Sequence, residues 1–386
     1  MTALDSPPTA PDTSPSRNPL DRILTPSRAT ALRTSGITVA SSLVAILIAL
    51  TISAILLAAT GKNPIDAYTT IIETGASGNK LLEMLKRATP LIFSATAVAI
   101  GFKMNIFNIG VEGQYLFAAL IAAEVGSRLD LPPIVHVAAI IAVAMLAGAA
   151  WASIAAVLKV GKNVHEVIST IMLNYIALSV IQWLFENFFR DDSDGGLNVK
   201  TTLLPDSGRM PDLVSGRLNA MFLVALATVI AFWVVVYRSR FGFRLRASGF
   251  NATAAATAGI DARRMTVTAL LLSGAVAGLV AMPSVLGEAF AYGPNATPIQ
   301  FGFAGIAVAL LGRNHPAGIV VAAMLFGFLD STSAELQLAQ VPNSIVKVIQ
   351  AVIVLTVVIV NEATIRRLNI RTAERARAEL ATGGAS

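Results

Sequence analysis

The 386-residue chain contains no cysteine, only three histidines, and a charged fraction of just 13%. The first absence excludes disulfides, cysteine–zinc sites and thiol catalysis. The histidines are unpaired in the sequence. The one that opens a metal-like motif, His165-Glu-Val-Ile-Ser169, meets serine where a zinc-protease helix requires its second histidine. No Gly-x-x-x-x-Gly-Lys-Ser/Thr occurs, so the chain lacks the usual phosphate-cradling loop of an ATPase. The scarcity of charge excludes most, because a soluble domain of this length needs far more to cover its surface.

What is present is apolar: 55% of the residues are hydrophobic and the mean hydropathy is +0.69. Tracts such as Val352 to Val360 are continuous rather than alternating, which argues against strands of an outer-membrane barrel. The pattern predicts an all-α polytopic membrane protein with about ten spans: 36–59, 88–103, 109–126, 133–158, 165–186, 219–237, 265–283, 299–312, 316–333 and 345–363. The stretch 91–123 decides the count. As one helix it would run about 50 Å, too long for a hydrocarbon core of about 30 Å. Gly101, Gly110 and Gly113 interrupt it.

Charge settles the reading. The net +6 is taken as a topology signal rather than as nucleic-acid binding. Arg17, Arg22, Arg28 and Arg33 precede the first span. Arg238, Arg240, Arg244, Arg246, Arg263 and Arg264 follow the sixth, and Arg366, Arg367, Arg371, Arg375 and Arg377 follow the last. All three groups fall on the cytosolic side only if 91–123 is split. Both termini are then cytosolic, and the acid-rich 186–218 loop is external. Residues 1–35, rich in proline, read as a disordered cytosolic tail rather than a signal peptide. Residues 36–365 form the membrane domain and 366–386 a cytosolic tail, loose after Arg377. Asn63-Pro64 is a helix-opening pair, predicting an external surface helix.

Three constellations stand out. Gly101 to Gln114 places Lys103, Asn105, Asn108, Glu112 and Gln114 in an apolar region, which suits either a permeation path or a short cytosolic turn followed by a helix cap. Gln300 to Gly318 is a second short span interrupted by glycines. Pairing 88–186 with 265–363 makes an inverted repeat, with a ligand path between the two broken spans. The segment 244–261 is a loop of small residues between arginines, suited to close approach by a partner or serving only as a topology signal. Gly274 and Gly278 permit close helix packing.

Four motifs carry a resemblance. They are Asn105-Ile-Phe-Asn-Ile-Gly-Val-Glu-Gly-Gln114, Asn163-Val-His-Glu-Val-Ile-Ser-Thr-Ile-Met-Leu-Asn-Tyr175, Leu245-Arg-Ala-Ser-Gly-Phe-Asn251 with Ala258-Gly-Ile260, and Gly305-Ile-Ala-Val-Ala-Leu-Leu-Gly312. In this order they resemble the inner-membrane permease subunits of ABC importers, of the branched-chain amino acid and ribose permease superfamily, and within it the nucleoside or simple-sugar branch. The resemblance covers roughly 36–365. It implies a multi-pass chain of the bacterial cytoplasmic membrane that is not itself an enzyme and holds no cofactor. ATP and Mg belong to a partner ABC ATPase. A second related permease subunit and an external substrate-binding lipoprotein complete the assembly. The matching ATPase-coupling residues are Arg246, Ala247, Gly249, Asn251, Ala255, Gly259 and Asp261. The substrate path is expected at Asn105, Asn108, Glu112, Gln114 and Asn174, with Glu112 holding the broken helix and the amides facing ligand. The proline-rich N-terminal tail is a departure without an assigned role.

Two other readings stay open. A branched-chain amino acid permease would favour charged groups in the path, whereas an amide-rich set suits a neutral, hydrogen-bonding ligand. An intramembrane enzyme or a non-transporting scaffold lacks a visible nucleophile–base pair. The topology is checked with reporter fusions: Ser207 is expected to read external, and Phe250 and Arg371 internal. An external Phe250 would overturn the arrangement.

Overall fold

Backbone polar groups in hydrocarbon must be bonded within the chain, which leaves helices as the economical solution for an apolar sequence. The computed structural model follows this rule. It describes residues 44, 47–59, 61–75, 78–193, 199–214, 216–294, 297, 299–338 and 343–383. The 1–35 tail and most of the first part of span 36–59 lie outside the described residues.

The helices are α1 (Leu47–Ala59), α2 (Pro64–Gly75), α3 (Gly78–Lys103), α4 (Val111–Arg128), α5 (Pro133–Lys162), α6 (Glu166–Leu184), α7 (Met221–Trp233), α8 (Arg240–Phe250), α9 (Ala252–Thr257), α10 (Ala262–Ala277), α11 (Met282–Gly287), α12 (Phe301–Leu311), α13 (Pro316–Ser331), α14 (Ser333–Leu338) and α15 (Asn343–Gly383). Single π-helical turns, Phe185–Phe189 and Val234–Arg238, finish α6 and α7. A small antiparallel hairpin, β1 (Asp212–Val214) and β2 (Leu218–Asn219), sits in the loop before α7. By contacts the chain divides into residues 49–358, which hold the sites described below, and a second unit of 1–48 with 359–386.

Every expected span contains a helix, and 91–123 is broken at 104–110. Among the described residues six helices are long and apolar enough to cross a membrane on their own: Pro133–Lys162, Glu166–Phe189, Met221–Arg238, Ala262–Gly287, Pro316–Leu338 and Ser344–Thr364. Charged residues keep α3 and α4 below that standard. Both are nevertheless largely enclosed within the bundle. Every residue of α3 from Ala88 to Gly101 is buried, so this helix has no lipid face to be apolar for, and α13, α12, α10 and α7 pack around it. The outer helices behave oppositely. Leu146, Val157, Ile168, Tyr175 and Ile230 are exposed, a surface that suits lipid and not water.

Three boundaries differ from the sequence reading. Helix α3 begins ten residues before the expected 88, because Lys80, Glu83 and Arg87 are spaced to pair along one helical face, with Glu83 2.8 Å from Arg87. The 244–261 segment is two helices rather than a loop. Asn251 starts the second by accepting a hydrogen bond from the Ala254 N–H at 3.0 Å. The backbone after Arg377 is helical to Gly383, in line with the helix preference of its Ala, Glu and Arg content. The helix expected to open at Asn63-Pro64 forms as α2. Asn63 Oδ1 accepts from the Ile65 N–H at 3.0 Å, and the Tyr68 hydroxyl donates to the Leu50 carbonyl at 2.7 Å.

Helices α5 and α10 cross with backbone against backbone. A Cβ at Gly278 would run into the Ala144 carbonyl oxygen, one at Gly148 into the Gly274 carbonyl oxygen, and one at Gly274 into Ala152. Packing in lipid rests on such backbone approach. Gly278→Leu is therefore expected to lower the yield of folded protein and its unfolding midpoint in detergent, at a cost of at least about 1–3 kcal/mol for overpacking. An unchanged midpoint would count against the crossing.

Candidate functional site

The break between α3 and α4 organises a buried polar network. Asn105 ends α3 in a left-handed conformation with φ of 58°, one that asparagine tolerates, and its side chain is exposed. Asn108 is 1% exposed and fully engaged. Its Oδ1 accepts from the Gly110 N–H at 3.1 Å and from Gln114 Nε2 at 3.0 Å. Its Nδ2 donates to Gln114 Oε1 at 3.0 Å and to Ser273 Oγ at 2.8 Å. Ser273 in turn donates to the Ala97 carbonyl at 2.7 Å. Asn174, from α6, spans the start of α4: its Oδ1 accepts from the Gly113 N–H at 2.9 Å and its Nδ2 donates to the Ile109 carbonyl at 2.9 Å. The amides thus satisfy groups that a helix terminus leaves unpaired.

Glu112 lies in the first turn of α4, yet its carboxylate serves a second helix. Oε1 accepts from the Gln300 N–H at 2.5 Å and from the Tyr115 hydroxyl at 2.8 Å. Oε2 accepts from the Gly302 N–H at 2.7 Å. Gln300 is the residue before α12, held in a left-handed conformation. One carboxylate therefore sits within the first turn of α4 and on the free N–H groups of α12. Both places carry the positive end of a helix dipole. Of the expected path residues, the structure brings Asn108, Glu112, Gln114 and Asn174 into this network through bonds to the chain itself. It places Asn105 apart from them, on the turn.

A cleft of about 780 Å³ opens between the first turns of α3, the β1–β2 turn and the residues around α11. Its rim carries Lys80, Glu83, Lys86, Arg87, Arg217 and Glu288, and its floor is formed by Pro90, Val280, Pro283, Ser284 and Phe301, the first residue of α12. Lys86 pairs with Glu288 at 3.4 Å. Lys80 pairs with Glu83 at 3.0 Å and also with Glu335, while Arg217 donates to Asn79. Burial works against the charged forms at this rim. The hydrogen bonds that Lys80 donates to Glu335 and Glu83 nonetheless hold its ammonium above its ordinary range, and those that Glu83 accepts from Arg87 and Lys80 hold its carboxyl below its own. The sequence reading missed these residues because it began the span at the first apolar position. The signal was there in the spacing of Lys80, Glu83 and Arg87.

The 246–261 segment is seated on the same break. Leu245, fully buried, clusters with Met104, Ile106, Ala156, Ala269 and Leu270. A Cβ at Gly249 would lie 2.6 Å from the Lys103 carbonyl oxygen and 2.7 Å from Met104 Cα, so this glycine admits the chain's own backbone. Ala255 is likewise buried. Gly259 turns the chain with φ of 76°, and Asp261 starts α10 by accepting from the Arg264 N–H at 3.1 Å. Arg246 and Ala247 line, with Phe243, Phe250, Asn251 and Ala254, a groove of about 540 Å³. Phe250 is 95% exposed. The two phenylalanines are seven residues apart, two turns of one helical face, a pattern the sequence reading passed over.

Residues 80–358 match the model of the family described as branched-chain amino acid transport system / permease component. The chain is 36% identical over 324 residues to a guanosine ABC transporter permease protein of Bacillus subtilis, covering 82% of this chain and 91% of that one. It is 33% identical over 326 residues to a glucose ABC transporter permease protein of Haloferax volcanii, covering 80% and 84%. It is 30% identical over 321 residues to a nucleoside ABC transporter permease protein of Lactococcus lactis, covering 81% and 88%.

The buried network yields a stability prediction. Glu112→Ala leaves the Gln300 and Gly302 N–H groups without their acceptor, at about 1–3 kcal/mol each. Its unfolding midpoint is expected to fall well below that of Asn105→Ala, whose side chain is exposed. Equal midpoints for the two variants in a detergent melt would refute the bridging role.

Proposed function

The chain belongs to the permease-component family of branched-chain amino acid transport systems, and we propose that it forms the translocation path of an ABC importer for nucleosides or related simple sugars. The observation that carries the substrate class is the 36% identity to a guanosine permease protein over 82% of the chain, joined by relatives named for nucleoside and glucose transport. The amide argument from sequence does not carry it, since Asn108, Gln114 and Asn174 spend their hydrogen bonds on the chain itself. The path instead runs beside them. The charged-rimmed cleft receives substrate released at the external face, and its floor at Phe301 adjoins the residues that Glu112 holds. Asn108, Glu112, Gln114 and Asn174 frame this path and keep the two broken spans, related as an inverted repeat, in register. Asn105 belongs to the cytosolic turn.

Energy enters from a separate ATPase that carries ATP and Mg. It docks on the 246–261 segment, where Phe250 and the groove beside Arg246 and Ala247 are accessible. Movement there reaches the α3–α4 break directly, because Gly249 and Leu245 rest on Lys103, Met104 and Ile106. A second permease subunit completes the membrane unit, an external lipoprotein delivers substrate, and both termini face the cytosol. A branched-chain amino acid substrate is the competing reading. Proteoliposomes holding the assembled importer are expected to accumulate labelled guanosine in an ATP-dependent manner and not leucine. Robust leucine uptake without nucleoside uptake would reverse the assignment.

A further inference from the structure

At the end of the bundle where α3 stops, two cations converge on one aromatic ring. Lys103 Nζ lies 5.3 Å from the centroid of the Tyr237 ring, and the Arg246 guanidinium lies 5.2 Å from the same centroid. A third basic group, the His315 imidazole, stands 6.0 Å away, centroid to centroid. The ring is fixed from below by Phe232, and its hydroxyl reaches the Asn314 carbonyl at 3.4 Å. The cluster thus draws on α3, the turn after α7, α8 and the α12–α13 turn. That last turn also carries Arg313, and both Arg313 and Asn314 are left-handed, with φ of 57° and 52°.

What is missing is negative charge. Among the described residues neither Lys103, Arg246 nor Arg313 pairs with a carboxylate, whereas Lys80, Lys86 and Arg87 at the cleft are matched by Glu83, Glu288 and Glu335. The Asn314 side-chain oxygen is also buried without a hydrogen-bond partner. A half-turn of that amide would present its NH2 to an acceptor instead. Two half-buried cations within about a Debye length of each other, roughly 10 Å at 0.1 M salt, repel unless an anion lies near both. Cation–π contact lessens this tension without neutralising it.

We propose that this cluster is a binding site for a phosphate-bearing anion. Phosphate oxygens suit the pair, since a guanidinium binds them through a fork of donors and an ammonium as a point charge. Both stems are long enough to bring their heads to the rim of the ring. The bound anion would tie α8 to the end of α3, and so brace the 246–261 segment against the break that it sits on. The proposal stands apart from the substrate reading, because its readout is binding and not transport.

The test uses the full-length chain with its partner subunits in nanodiscs of phosphatidylcholine, at constant ionic strength. Inorganic phosphate and a nucleoside monophosphate are the soluble probes, and partial replacement of the lipid by phosphatidylglycerol is the headgroup probe. A saturable rise of several degrees in the unfolding midpoint is expected from one of these sources, and which one responds identifies where the phosphate comes from. Lys103→Gln and Arg246→Gln are each expected to remove at least half of the rise, while Lys103→Arg retains it and Arg263→Gln, outside the cluster, leaves it intact. No rise from any probe, an equal rise from chloride, or an equal rise in the Gln variants would overturn the site. Loss of ATPase-subunit binding in those variants, with no response to any phosphate, would assign the cluster to acidic protein side chains and overturn it as well.

Discussion

A carboxylate buried among apolar helices must be solvated by protein, and everything near Glu112 is arranged around that demand. An unpaired charge in such surroundings costs several kcal/mol. The chain meets the demand with two backbone N–H groups and a tyrosine hydroxyl, taken from helix termini that need an acceptor in any case. The bond is mutual: α12 cannot start where it does without Glu112, and Glu112 cannot remain buried without α12. Residues 188 and 190 positions apart in sequence are thereby held in contact. The neighbouring amides follow the same logic, with Asn174 spanning the start of α4 and Asn108 fastening the break to Ser273 of α10.

That arrangement joins two surfaces of different character. On one side lies the cleft, whose ion pairs are largely matched. On the other lies the 246–261 segment, seated on Met104 and Ile106. Between them run α3 and the start of α4, enclosed on all sides by other helices. Close packing of this kind transmits displacement poorly by bending and well by rigid shifts. The α5–α10 crossing, where glycines bring backbone against backbone, adds a pair of helices that can only travel together.

Much of this was legible in the sequence, for identifiable reasons. Asn108, Glu112 and Gln114 have no cheap place in lipid, so their burial followed from energetics, whereas Asn105 came out exposed on the turn; the charge asymmetry of the loops required a break that the backbone does contain. Gly274 and Gly278 stated a close crossing without naming its partner, which proved to be α5. Partners across the bundle were not legible: nothing local to Glu112 points to Gln300, and nothing local to Asn108 or Asn174 points to the bonds they make with Ser273 and the Ile109 carbonyl. The small residues of 246–261 were read as room for another protein, whereas Gly249 makes room for Lys103 and Met104. The Phe243 and Phe250 pair was passed over because its seven-residue spacing lies in an arginine-rich stretch that reads as a loop. The charged turns of α3 were cut off because hydropathy marks where a helix meets lipid, not where it begins.

The burial of α3 has a consequence for how the protein is made. A helix with no lipid-facing side is not selected for hydrophobicity, and this one, with Lys80, Glu83, Lys86, Arg87 and Pro90 in its first half, inserts poorly by itself. Its burial depends on neighbours synthesised much later: Ser94 donates its hydroxyl proton to the carbonyl of Phe301, 207 residues downstream. At about 5–20 residues per second, that partner emerges roughly 10–40 s after Ser94 does. Over that interval α3 has to be sheltered by the insertion machinery or held at the membrane surface. Assembly of this chain is therefore a matter of waiting, and the late helices decide whether the early one ever finds its place.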